Sequence, residues 1–296
     1  MTRPTVALTI AGSDPSGGAG IQADLKTFSA LGVYGTSVVT ALTAQNTRGV
    51  TGVHVVPTSF VTQQLETLVA DVRVDTIKIG MLANAAIIAA VADFLLREHD
   101  DKVDHVVLDP VMVATSGDRL LDDDGVGAMR DLMPLASLIT PNIAEAAALL
   151  KTRPARTLSD MRLHAMALQE LGAQRVLIKG GHLNDSDEAV DLLLDVDGEV
   201  VLRAPWVDTV NTHGTGCTLS SALAALRPQR DSWLETALDA KNWLTAALNA
   251  ADSLEIGQDS GNDPGDPGND LGDPGGPGGP GKSHGPVHHF HQIWSP

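Results

Sequence analysis

Asn211-Thr212-His213-Gly214-Thr215-Gly216-Cys217 runs without interruption into an apolar helical stretch at residues 218–226. Two glycines let the backbone approach a ligand closely, and the N–H groups at a helix start, with its partial positive charge, form an anion site. The segment reads as a phosphate cradle at the head of a helix. Cys217, the single cysteine, stands where a nucleophile or general base would face that anion. A thiol at a helix N-terminus tends toward a lowered pKa. Taken alone, a Gly-Thr-Gly-Cys turn ahead of a small buried cysteine is ordinary, so its meaning depends on the surrounding chain.

Upstream of the cradle, short apolar β-rich runs recur at residues 6–10, 33–42, 76–81, 105–108, 137–139 and 175–178, mostly separated by helical patterns. This alternation predicts parallel strands joined by right-handed crossovers, with helices on both faces of the sheet. Helices are expected over 58–72, 84–98 and 159–171, the last stopped by Gly172. Ser232 and Glu235 form a capping box for a final helix reaching about residue 255. Residues 188–203 depart from the pattern. Two apolar runs flank Asp197-Gly198, which predicts a hairpin forming an antiparallel edge to the sheet.

Composition narrows the function. A chain of 296 residues with 43% hydrophobic and 3% aromatic residues suits one large, close-packed layered domain. Its 37 acidic and 20 basic residues give a net charge of −17, which argues against nucleic acid or an anionic membrane as partner. One cysteine excludes an internal disulfide, and residues 1–4 run straight into a strand without an export signal. No apolar run reaches the roughly 18 residues of a membrane span. The expected location is the cytoplasm. Between residues 257 and 281, 15 of 25 residues are Gly or Pro and 5 are Asp, a composition expected to be disordered. Beyond it, His288-His289-Phe290-His291 suggests weak metal binding, but no carboxylate or thiol completes a site, and a tail docking back on the domain is the better reading.

The loop Gly12-Ser13-Asp14-Pro15-Ser16-Gly17-Gly18-Ala19-Gly20 follows the first strand and opens a helix, and residues 18–23 fit a dinucleotide fingerprint. That fingerprint needs an acidic residue about twenty positions on, yet residues 25–65 contain no Asp or Glu. A Walker-type loop needs its Gly-Lys-Ser between an apolar strand and a helix, and the single Gly-Lys-Ser, at residues 281–283, instead ends the Gly/Pro/Asp-rich stretch with no strand pattern before it. Other pieces lie at predicted carboxyl ends of strands, where open α/β sheets bind ligands: Asp109-Pro110-Val111-Met112, Thr140-Pro141-Asn142 with Glu145, and Lys179-Gly180-Gly181-His182. Asp109 and Glu145 offer hard oxygen donors for Mg²⁺, directly or through water, and Lys179 offers charge for a phosphate.

With these motifs in hand, the chain resembles the hydroxymethylpyrimidine/phosphomethylpyrimidine kinases of thiamine biosynthesis, within the ribokinase-like superfamily. The resemblance rests on residues 11–26 (AGSDPSGGAGIQADLK), 45–49 (QNTRG), 78–82 (KIGML), 109–117 (DPVMVATSG), 140–150, 179–183 (KGGHL) and 211–220 (NTHGTGCTLS), and spans about residues 5–256. The Gly/Pro/Asp insert departs from the family. The division implied is a kinase domain over 1–256, the insert at 257–284 and a tail at 285–296.

The resemblance implies an α/β fold, a three-layer α/β/α sandwich with a mainly parallel sheet and a small antiparallel edge hairpin. It implies ATP-dependent phosphorylation of 4-amino-5-hydroxymethyl-2-methylpyrimidine and then of its monophosphate, with pyridoxal kinase activity as the nearest alternative. Mg²⁺ with ATP as co-substrate is implied, a monovalent-cation requirement stays open, and a homodimer is expected. Residue by residue, Gln45 matches the pyrimidine contact, and Gly12, Asp24, Met81 and Val111 match positions around it. Asn142 and Glu145 match nucleotide and Mg²⁺ positions, and Gly214, Thr215 and Gly216 the anion hole. Cys217 stands where many ribokinase-like enzymes carry an aspartate base, so it and Lys179 are the expected catalytic pair.

Overall fold

The computed structural model describes residues 3–98, 103, 105–112, 121, 123–181, 183, 187–257 and 284–294. The segment expected to be disordered lies outside the described residues apart from Gly257, and the Asp109 motif is described only to Met112.

Ten strands are described: β1 (Val6–Ala11), β2 (Tyr34–Val39), β3 (Ala41–Asn46), β4 (Gly49–Val55), β5 (Thr76–Ile79), β6 (His105–Leu108), β7 (Leu138–Ile139), β8 (Val176–Lys179), β9 (Glu188–Asp195) and β10 (Gly198–Pro205). Eight form one sheet in the order β10-β9-β8-β7-β6-β5-β1-β2. From β2 to β8 every pairing is parallel, while β9 runs antiparallel to both β8 and β10. The edge hairpin is thus where the Asp197-Gly198 turn predicts it, with Gly198 at φ +126°.

Eight α-helices cover the sheet: α1 (Gly20–Ala30), α2 (Thr58–Val69), α3 (Ala85–Glu98), α4 (Asp123–Leu132), α5 (Ile143–Leu150), α6 (Leu158–Glu170), α7 (Thr215–Leu226) and α8 (Trp233–Asn249). Strand alternation sorts the core into two layers. Leu8, Ile10, Ile77, Ile79 and Leu108 face the layer closed by α2 to α6. Ala7, Val107, Leu138 and Leu177 face the layer closed by α1, α7 and α8. Residues 218–226 of α7 are all buried, so this helix runs through the centre of its layer.

One expected strand divides. Residues 33–42 read as a single run, yet the chain leaves the sheet at Thr40, whose N–H donates to Ala11 O and whose Oγ1 donates to Met81 O. Strands β3 and β4 then form a separate antiparallel hairpin with a register shift between Ala44 and Gln45. The tail closes on the domain as expected, with Val287 fully buried in the α7–α8 layer.

Candidate active site

Two glycine loops meet over the carboxyl ends of β1, β5 and β6. In the first, Asp14 accepts from the backbone N–H groups of Ser16, Gly18 and Ala19, which folds residues 14–19 into a tight arch before α1. In the second, Gly214 begins α7 in the left-handed conformation at φ +77°, and a Cβ there would lie 1.8 Å from Gly18 O. Only glycine permits this approach. Helices α1 and α7 both begin without a side-chain cap, whereas α5, α6 and α8 are capped by Asn142, Thr157 and Ser232. Uncapped helix starts leave N–H groups for a ligand.

Beneath these loops lies a cavity of about 400 Å³ whose walls include Gly12, Gln45, Met81, Val111, Gly216 and Cys217. Gln45 lies on the inner side of β3 with Ala41 and Thr43, following the strand's ordinary alternation, and its Oε1 accepts from Thr43 Oγ1 at 3.1 Å. A second cavity, of about 640 Å³ and walled by Leu219, Leu244, Leu248, Pro205 and Trp206, shares Asn142, Ala144, Lys179 and Gly216 with the first. The two therefore adjoin at Lys179 and the first turn of α7.

Lys179 Nζ donates to Asp109 Oδ1 at 2.7 Å and lies 3.8 Å from Glu145 Oε2. Burial opposes the ammonium, but Asp109 and Glu145 hold its pKa above the usual lysine value. Asp109 also accepts from Thr140 Oγ1 and Ser220 Oγ. Asn142 and Glu145 form a reciprocal capping box on α5, so the helix-cap reading and the site reading fall on the same two residues. Burial first, and then the Asp109 charge, push Glu145 up to about 7.

This shift carries a stability prediction. Unfolded, Glu145 titrates near 4.5, so between that value and about 7 the folded state holds a proton that the unfolded chain has lost. Stability is complete below the lower value and falls as pH rises through the upper one. Glu145→Gln keeps the cap and should flatten that fall, as read by thermal unfolding of the ligand-free protein across the window.

Three expectations are corrected. Asp24 does not wall the cavity: it is 0% exposed, its oxygens both 2.9 Å from Lys78 Nζ, and it accepts from Thr9 Oγ1 and Ser221 Oγ. It holds Lys78, which does reach the cavity wall. Asp24→Ala strands a buried ammonium and should cost about 3–5 kcal/mol in urea unfolding. A raised KM with unchanged stability would instead restore a substrate contact. The second correction concerns Cys217: burial, with Asp24 and Asp109, pushes its thiol up to about 11 rather than toward neutrality, against lowering by Lys78 and the Gly20 amide. Third, the Thr215 N–H is taken by Thr212 O, so the expected anion donors narrow to Gly214 and Gly216.

Sequence reasoning passed over four participants. His213 Nε2 lies 2.8 Å from Asp14 Oδ2 and pins the second loop to the first. Lys78 is fully buried in a strand, and a lone lysine between isoleucines was the available signal. The Lys241–Asp191 pair, at 2.7 Å, walls the larger cavity, and Asp191 accepts from Gly180 N–H beside Lys179.

Similarity to known proteins agrees with this geometry. The family model for phosphomethylpyrimidine kinase matches residues 14–264. A hydroxymethylpyrimidine/phosphomethylpyrimidine kinase of Salmonella typhimurium is 53% identical over 289 residues, 97% of this chain and 98% of that protein. Among solved structures, a phosphomethylpyrimidine kinase from Clostridium difficile 630 has a TM-score of 0.72 at 38% identity, covering 82% of this chain and 99% of that one. A Staphylococcus aureus pyridoxal kinase in complex with AMP-PCP and pyridoxal has a TM-score of 0.80 at 30% identity, covering 99% and 96%. Fold, paired cavities and full-length relatives converge: this chain is a kinase and belongs to the phosphomethylpyrimidine kinase family.

Proposed function

We propose that the protein transfers the γ-phosphoryl group of ATP to the hydroxymethyl group of 4-amino-5-hydroxymethyl-2-methylpyrimidine, and then phosphorylates that monophosphate to the diphosphate for thiamine diphosphate synthesis. The observation that carries the reading is the junction of two unequal cavities at Lys179 and the uncapped start of α7. The smaller takes the pyrimidine, with the Gln45 amide able to pair with a ring nitrogen and an exocyclic amine, and Met81 as an apolar wall. The larger takes the nucleotide, its leucines and Trp206 suiting a base. The S. aureus relative, solved with AMP-PCP and pyridoxal, supports paired nucleotide and acceptor sites.

Within this reading Lys179 neutralises the transferring phosphoryl group, and the Gly214 and Gly216 amides stabilise its oxygens. In the first step Cys217 accepts the hydroxymethyl proton through its thiolate form. Asp109 and Glu145 would hold Mg²⁺ together with water and substrate phosphates, which fits a set of hard oxygen donors too few to bind the ion alone. That ion would neutralise charge on the phosphates. The buried Lys78–Asp24 pair keeps a positive charge beneath Cys217.

Two further assignments concern assembly and location. A two-stranded hairpin is marginal alone in water, and β3–β4 exposes Leu42 on one face and Val53 on the other. We assign this hairpin to contact with a second copy of the chain, giving a homodimer, to be read by sedimentation equilibrium. The assigned location is the cytoplasm; no helix among the described residues is long and apolar enough to cross a membrane.

A coupled ADP-release assay with Mg-ATP tests the substrate, offering hydroxymethylpyrimidine, its monophosphate and pyridoxal in turn. Turnover on both pyrimidines with pyridoxal far slower supports the proposal. Because several similar structures are pyridoxal kinases, preference for pyridoxal is the second reading and would replace the first.

A further inference from the structure

Residues 284–294 reach the domain from a segment outside the described residues, and they dock on the active-site elements themselves. His284 N–H donates to Thr47 O at 2.9 Å, two residues beyond Gln45. His213 N–H donates to Gly285 O at 3.0 Å, and His213 and Pro286 form an isolated parallel bridge. Pro286 packs against the first glycine loop, its Cβ 3.2 Å from where a Cβ on Gly18 would stand. Gly285 passes so close to Asn211 that a Cβ would lie 2.0 Å from its Oδ1. Val287 is buried between α7 and α8, and His288 N–H donates to Ala247 O on α8.

The innermost contact is the most specific. His289 Nε2 and Thr218 Oγ1 share a hydrogen bond of 3.0 Å, and both side chains are buried. Thr218 follows Cys217 directly and lies in the first turn of α7. Burial first, then the charges of Lys26, His288 and His291, hold His289 down to about 3, so its ring is neutral and serves as a fixed hydrogen-bond partner. No described residue of the tail walls either cavity.

We propose that the tail is a positioning element for phosphoryl transfer, in which His289 sets the first turn of α7, and with it Gly216 and Cys217, through Thr218. The segment touches the hairpin carrying Gln45, the loop carrying Gly18, and the turn carrying the anion donors, all from outside the cavities. It registers three separately folded pieces against each other. An error of about 1 Å in such registration can cost on the order of 10²-fold in rate. Loss of one hydrogen bond should cost less, about tenfold in kcat, with KM for Mg-ATP changed less than about threefold because the tail contacts no ligand.

The test uses the full chain, and it rests on the kinase reading only for its rate measurement. His289→Phe keeps bulk and removes the hydrogen bond, His289→Gln returns a polar atom where Nε2 stood, and Thr218→Val removes the same bond from α7. Each is assayed with whichever acceptor the wild type turns over, well below its own melting temperature. Amide hydrogen exchange over residues 211–223 provides a readout that needs no substrate. Expected are a kcat about tenfold lower for His289→Phe, near-wild-type rates for His289→Gln, a double variant with Thr218→Val no worse than either single one, and faster exchange across the first turn of α7. Unchanged kcat with unchanged exchange in His289→Phe would overturn the proposal, as would additive losses in the double variant. Should His289→Phe fail to fold, Thr218→Val with the same two readouts decides.

Discussion

Lys179→Ala should lower kcat by about 10²–10³, the range typical for removing one strong donor or cation from a phosphoryl-transfer site. The argument is positional. Its ammonium stands between the two cavities, 2.7 Å from Asp109 and 3.8 Å from Glu145, and their carboxylates keep it charged throughout the working pH range. Alanine removes the cation at the point where phosphoryl charge must pass and leaves two buried carboxylates facing each other. Arginine should rescue poorly, because a planar fork does not fit a seat built for a point charge between two carboxylates. Steady-state kcat with each acceptor, with folding checked by circular dichroism, measures the effect. A change below about threefold would remove Lys179 from the mechanism.

Cys217→Ala should separate the two phosphorylations. The first acceptor is an alcohol whose proton must leave; the second is a phosphate already largely ionised near pH 7. A general base contributes about 10²–10⁴-fold, so the alcohol reaction should lose activity in that range and the monophosphate reaction far less. Because burial holds the thiol at about 11, the thiolate fraction grows with pH throughout the neutral range, by about tenfold per unit. The wild-type kcat/KM for the alcohol should therefore climb with pH while that for the monophosphate stays flatter, and the climb should vanish in Cys217→Ala. Equal losses for both acceptors would refute the base role.

Much of the fold was legible because the central strands are continuous apolar runs and their connecting helices keep a spacing of three and four. Asp197-Gly198 announced the edge hairpin, and Gly214 with Gly216 announced the cradle. The hairpin β3–β4 was hard to read for a physical reason: Gly49–Val55 is largely exposed, so burial imposes no alternation on it. The division at Thr40 was hidden because it is made by two hydrogen bonds to distant residues, Ala11 and Met81. Residue types at the strand ends identified Asp109, Asn142, Glu145 and Lys179 as candidates, and the fold brings all four to the cavity junction. What spacing could not supply was burial: it moves Asp24 behind the cavity and turns Cys217 from an activated thiol into a protonated one.

The pairing of Asp14 with His213 spans 199 positions, and that of Asp24 with Ser221 spans 197. Contacts so distant in sequence form late, since the intervening loop must close before they reward it. During synthesis the amino-terminal half can lay down β1, β2 and β5, but the catalytic centre lacks one wall until α7 emerges, and its brace until His289 does. A chain ended before α7 would thus lack one wall of the catalytic centre, whereas one ended between α7 and His289 would keep the walls without the brace.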